Sequence, residues 1–335
     1  MNPPAYQPAA LAHGGRLRAA ARRYAIPLAD WLDLSTGINP NGWPVPPVPA
    51  AAWQRLPEDE DELVGAAAGY YGSADLLPVA GSQAAILHLP RLRPPGRVGV
   101  LAPGYGEYAP AFAGAGHRVE PLAAAAIATA LERLDVLVLA QPNNPDGCRF
   151  APAQLLDWQA RLATRGGWLI VDEAFADATP ETSLAAAGPR PGLILLRSLG
   201  KFFGLAGARV GFVLARAEVT GPLAALLGPW TVAGPARWVA TRALADRPWQ
   251  QRTRVALPRA GARLARLLTD HGLAPAGGCA LFQWIPTTRA ADLHQTLAAA
   301  GILTRYFADP PALRLGLPGS EADWQRLAAA LGRVR

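Results

Sequence analysis

Apolar residues recur along the chain with two periods. Short, almost unbroken apolar runs at residues 98–101, 135–140, 168–171, 193–196 and 210–215 have the length of buried strands. Between them lie stretches with helical spacing, such as 152–164, where Leu155, Leu156, Trp158 and Leu162 fall on one side. Strands alternating with helices predict an α/β fold with a mainly parallel central sheet covered on both faces. Ligands of such sheets bind beyond the carboxyl ends of the strands. After about Gly221 the pattern changes. Helical stretches at 236–245 and 252–268 are followed by short strand candidates at 280–285 and 312–315 and a terminal helix at 321–331. This predicts a second, smaller α+β domain. The Pro-rich stretch 40–49 reads as an extended arm, because proline fixes φ and removes a backbone donor. The expected organisation is an N-terminal arm (1–40) contributing to the small domain and the active site, a large domain (41–225) and a small C-terminal domain (226–335).

Composition narrows the classes. The 335 residues are 51% hydrophobic and 17% charged, a globular balance. The formal net charge is +7, but no basic run exceeds two residues and no aromatic-interleaved basic stripe is present. That argues against nucleic acid and suits a small anionic substrate. Cys148 and Cys279 form no CxxC and pair with no histidine, so no metal site and no disulfide framework are expected. Residues 1–5 show no charged leader pattern, and no apolar stretch reaches about 18 residues free of proline and charge. The expectation is a cytoplasmic protein with no membrane partner.

The chemistry concentrates at strand ends. Ser198-Leu199-Gly200-Lys201 follows a strand and places a lysine in a Gly-rich, apolar turn. Partial burial disfavours the ammonium and makes the amine a nucleophile toward an aldehyde. Ser198 and Arg209 flank it with a hydroxyl and a guanidinium, the donors a phosphate monoester needs. Asp172 ends another apolar strand, and a carboxylate there requires a cationic partner such as a pyridinium nitrogen. Asn144, in Asn143-Asn144-Pro145-Asp146-Gly147, lies 28 residues before Asp172, which lies 29 before Lys201. Gly81-Ser82-Gln83 is a turn opening a helix, where exposed amides favour a phosphate. The histidines at 88, 117, 271 and 294 have no partner pattern and read as packing or surface residues. Tyr108 reads equally as a packing or a ligand residue, and Trp230 and Trp238 as core or interface anchors.

Taken together, these segments resemble fold-type I pyridoxal-phosphate (PLP) enzymes of the class I/II aminotransferase family over about residues 10–330. The resemblance implies PLP as cofactor and a homodimer. It implies Lys201 as the amine that binds the cofactor's aldehyde and moves a proton, and Asp172 as partner of the ring nitrogen. Asn144 would bond the ring O3′ and Tyr105 would stack on the ring. Gly81, Ser82, Gln83, Ser198 and Arg209 would hold the phosphate, and Arg314 would grip the substrate carboxylate. Phe175 stands where many members have a tyrosine that bonds O3′. Leu56 stands where many have a tyrosine reaching the partner subunit. The N-terminal set His13-Gly14-Gly15, 31–40 and Trp43-Pro44 is similar to the branch that decarboxylates L-threonine O-3-phosphate in cobalamin biosynthesis. The histidinol-phosphate aminotransferase branch is the alternative. The first branch would place His13, Gly37 and Asn39 near the substrate, with His13 reaching the substrate phosphate across the dimer. Arg16, Arg22 and Arg23 are further cationic candidates.

Overall fold

The structure, a computed structural model, describes residues 13–333. Residues 1–12 of the expected N-terminal arm, and with them the stretch weighed as a leader, lie outside the described residues. After a helix at Leu17–Tyr24 the chain forms a short strand, β1 (Leu32–Asp33), and then builds a seven-stranded sheet. Its strands are β2 (Leu76–Val79), β3 (Arg97–Leu101), β4 (Arg118–Leu122), β5 (Val136–Ala140), β6 (Trp168–Asp172), β7 (Leu193–Ser198) and β8 (Gly211–Leu214). Their order is β2-β8-β7-β6-β5-β3-β4, all parallel except β8, which runs against both its neighbours.

Successive side chains of the central strands enter opposite cores, as the pleat requires. Leu137, Leu139, Leu169, Val171, Leu193 and Leu195 pack on one face; Val136, Val138, Ile170, Ile194 and Leu196 pack on the other. Burial on both faces is why these strands lack polar alternation. Each such side chain contributes about 1.5–3 kcal/mol on leaving water. The helix Pro152–Ala163 covers one face through Leu155, Trp158 and Leu162, as its spacing predicts.

Beyond the helices Gly234–Ala245 and Arg247–Asp270, the chain forms an antiparallel sheet. It is built from β9 (Gly277–Cys279) and β10 (Phe282–Pro286), then, past the two-residue β11 (Ile302–Leu303), β12 (Arg305–Ala308) and β13 (Pro311–Gly316), in the order β12-β13-β10-β9. Strand β11 pairs with β1 in parallel, and Leu34 O accepts from Gly316 N at 2.7 Å, so residues near 32–34 join the C-terminal sheet. The terminal helix Glu321–Leu331 opens with a reciprocal Ser320–Asp323 capping box. The two sheets meet backbone to backbone. A Cβ on Gly147 would lie 2.2 Å from Gly278 O, and both glycines have positive φ. Among the described residues no helix is long and apolar enough to cross a membrane, and no cluster of His, Cys, Asp and Glu can hold a metal ion.

Candidate active site

Register sets the site. Ala140 pairs with Asp172 and Asp172 with Leu196, so β5, β6 and β7 end at one level. Asn144, Asp172 and Lys201 therefore leave the same rim of the sheet. The turn bearing Lys201 is locked from both sides. Phe202 and Phe203 are fully buried, and the Lys201, Phe202 and Phe203 carbonyls accept from Asn39 N, Asn39 Nδ2 and Trp43 N at 2.8–2.9 Å. Burial, then the positive charge of Arg314, pull the Lys201 amine down to about 8; Arg209 adds to this and Asp172 opposes it. At neutral pH about a tenth of such an amine is unprotonated and nucleophilic.

Asp172 is buried, and burial pushes its carboxyl above the ordinary carboxylate value. Two donors oppose that push: the Tyr108 hydroxyl reaches Oδ2 at 2.8 Å, and Ala174 N reaches Oδ1 at 2.9 Å. Tyr108 thus does more than pack; it holds the carboxylate. Buried beside Asp172, its own hydroxyl is pushed well above 10.

A third group gathers phosphate-type donors. A Cβ on Gly81 would sit 2.6 Å from Arg209 Nη2, and one on Gly211 would sit 2.6 Å from Ser82 N. Ser198 Oγ accepts from Gly200 N at 3.2 Å on the same turn. Only glycine admits the guanidinium this close to residue 81, whose φ of +74° also favours it.

Lys201, Tyr105, Asn144, Gly37, His13 and Arg314 line one cavity of about 370 Å³, together with Thr36, Phe175, Arg305 and Phe307. Gly37 is needed for space, since a Cβ there would lie 2.8 Å from the Phe175 ring. Phe175 packs edge-on against Phe282, with its centroid 5.5 Å from Lys201 Nζ. Arg314 is buried. It donates through Nη1 to Asn144 Oδ1 and through Nη2 to Ser35 O at 2.9 Å, which leaves the Asn144 NH₂ as the end free to donate. Burial, then Arg305, lower the Arg314 guanidinium to about 10.

Of the four residues expected near the substrate, His13, Gly37 and Arg314 line this cavity. Asn39 does not line the cavity. It is buried, and its side chain is spent on Phe202 O and Asn41 N, so it braces the lysine turn. The sequence reading missed Arg305, which stands directly opposite Arg314 on paired strands. Like charges so placed repel, and an anion between them would relieve the repulsion. Arg16 and Arg23 line an adjoining cavity with His294 and Arg305.

These residues fit a pyridine aldehyde phosphate: a desolvated amine, a buried carboxylate with no arginine or lysine bonded to it, and a glycine cradle around a guanidinium. The chain belongs to the class I and II aminotransferase family, whose model matches residues 31–331. Within that family it is 59% identical to the threonine-phosphate decarboxylase of Pseudomonas aeruginosa, over 96% of this chain and 97% of that one. It is 31% identical to the histidinol-phosphate aminotransferase of Shewanella amazonensis, over 84% and 83% of the two chains. In fold it matches the histidinol-phosphate aminotransferase of Sinorhizobium meliloti in complex with pyridoxal-5′-phosphate, with a TM-score of 0.83, 21% identity, and coverage of 97% and 95%.

Proposed function

We propose that this chain is a PLP-dependent decarboxylase. It converts L-threonine O-3-phosphate to (R)-1-aminopropan-2-yl phosphate and CO₂, a step toward cobalamin, as a cytoplasmic homodimer. The observation that carries the reading is the 59% identity to a threonine-phosphate decarboxylase across nearly the whole of both chains.

Bound PLP supplies an aldehyde that captures an amine and a protonated ring that accepts the electron pair left when a bond at Cα breaks. Lys201 would hold the aldehyde, Asp172 would face the ring nitrogen, and Tyr105 would cover the ring. The Asn144 NH₂ would serve O3′, and Gly81, Ser82, Gln83, Ser198 and Arg209 would hold the phosphate. Lys201 is then the base or acid at Cα, and after CO₂ departs it delivers the proton there. Arg314 and Arg305 offer two cations to the two anionic groups of one substrate. Two anchors fix rotation about the bonds to Cα, and that rotation selects the bond to be broken. His13 and Gly37 complete the cavity wall around the substrate.

Phe175 cannot hydrogen-bond O3′, so that duty falls on Asn144 alone. The exposed side chains of Trp53, Leu56 and Trp230 support a second copy as their cover. Incubating the purified, PLP-loaded protein with L-threonine phosphate is the test. Release of CO₂ without added keto acid is expected. Keto-acid-dependent amino transfer from histidinol phosphate, with no CO₂ from threonine phosphate, would overturn it in favour of the aminotransferase.

A further inference from the structure

Two side chains of the proposed site converge on a carboxylate to which that reading gives no task, and a third reaches it through one of them. Glu107 precedes the helix Tyr108–Gly114. Its Oε2 accepts from Gln83 Nε2 at 3.0 Å, and its Oε1 lies 2.6 Å from His13 Nε2. Gln83 turns its other end to the Tyr105 hydroxyl, which donates to Oε1 at 3.0 Å. Tyr105, Gln83, Glu107 and His13 thus form one unbroken hydrogen-bonded chain, and its two end residues both line the cavity.

Each link depends on Glu107. An amide has two unlike ends, and Gln83 is held the right way round because one end faces an acceptor and the other a donor. Without the carboxylate, Gln83 is free to turn, and the Tyr105 hydroxyl loses its fixed acceptor. His13 belongs to a segment tied down nearby by Gly15 N donating to Ser35 Oγ at 2.7 Å. That bond anchors the backbone and leaves the imidazole to Glu107. The pair is half in solvent, with His13 at 44% and Glu107 at 18% side-chain exposure. A pair this exposed adds little to folding stability. Its value lies in where it puts the ring.

We propose that Glu107 is a positioning residue: it docks His13 on the cavity rim and sets the orientation of Gln83 and Tyr105, so that the phosphate of the substrate meets an ordered wall. A ring held through Nε2 leaves Nδ1 turned to a further partner. This rests on the function proposed above.

The test uses the PLP-loaded enzyme and its Glu107→Ala, Glu107→Gln and His13→Ala variants, with the double alanine variant. Glu107→Ala is expected to raise KM for L-threonine phosphate about tenfold. Its kcat should stay within about threefold of the parent and its Tm within about 2 °C. The double variant should be no worse than the weaker single one, since both remove one interaction. Glu107→Gln still accepts from Gln83 and bonds His13, and should restore most of the loss. A second readout needs no turnover. Arg16 is exposed three residues past His13, and tryptic cleavage there should quicken in Glu107→Ala but not in Glu107→Gln. Unchanged KM and cleavage, additive losses, or a fall confined to kcat would overturn the proposal. If the parent enzyme releases no CO₂, the functional reading fails while the cleavage result still judges Glu107.

Discussion

The two ends of the cavity are built differently. At the inner end, Asn144, Asp172 and Lys201 follow adjacent parallel strands, and their positions descend from backbone register. Burial is the leading cause of the altered acidity of both Lys201 and Asp172. At the outer end, Arg305 and Arg314 stand on an antiparallel ladder, while Gly37 and His13 come from the N-terminal segment. There the groups are placed by side-chain bonds between distant parts of the chain: Arg314 to Asn144 and Ser35, His13 to Glu107. Substitutions at the inner end should therefore change chemistry, and those at the outer end affinity.

The sharpest challenge to that division is Lys201→Ala. It should remove the visible band at about 420 nm and cut turnover by at least about a thousandfold, as read by absorbance and CO₂ release. Arg314→Lys comes next. A lysine cannot bond Asn144 and Ser35 together, so KM for threonine phosphate should rise about a hundredfold. Arg305→Met should raise KM for threonine phosphate by about tenfold or more yet leave the visible band intact; a lost band would break the comparison, because it would put an outer residue in charge of the cofactor. Tyr108→Phe removes a donor that opposes the upward push on Asp172. Its carboxyl should rise further, so the acid limb of the kcat profile should move to higher pH, with a several-fold loss below neutrality.

The smallest effect is on stability. Burial lowers Lys201 from its ordinary 10.5 to about 8. The unfolded chain therefore binds more protons than the folded one between those values. The lysine's cost is full below about pH 8 and fades as pH rises toward 10.5. Cofactor-free Lys201→Met should accordingly melt a few degrees above the cofactor-free parent at pH 7, with the gap narrowing by pH 10, as calorimetry would show.

The inner end was legible in the sequence because it is written in local runs. Apolar strands followed by Asn144, Asp172 and Lys201 need no knowledge of what lies across the molecule. The edges were harder to read. Strand β2 carries Pro78, and β4 is interrupted by Glu120 and Pro121, so neither reads as an apolar run; both sit at the margins of the sheet, where proline costs least. Strand β12, in which Arg305 is followed by aromatics, gives no two-residue alternation to detect. The roles of Glu107, Tyr108 and Arg305 were hidden for a deeper reason. Each is defined by a partner elsewhere in the chain: Glu107 by His13, Tyr108 by Asp172, Arg305 by an arginine on the next strand. The bracing contact of Asn39 was hidden the same way, since what its side chain touches, the Phe202 carbonyl, lies 163 residues on.

The bare seam between Gly147 and Gly278 bears on how this chain can vary. A methyl at 147 would lie 2.2 Å from Gly278 O and push a loop of the site off the second sheet, while one at 278 would lie 2.4 Å from Phe282 O within that sheet, and both residues are at positive φ. A random library selected for folding alone, with no demand for catalysis, should return both positions as invariant as the lysine is under selection for activity.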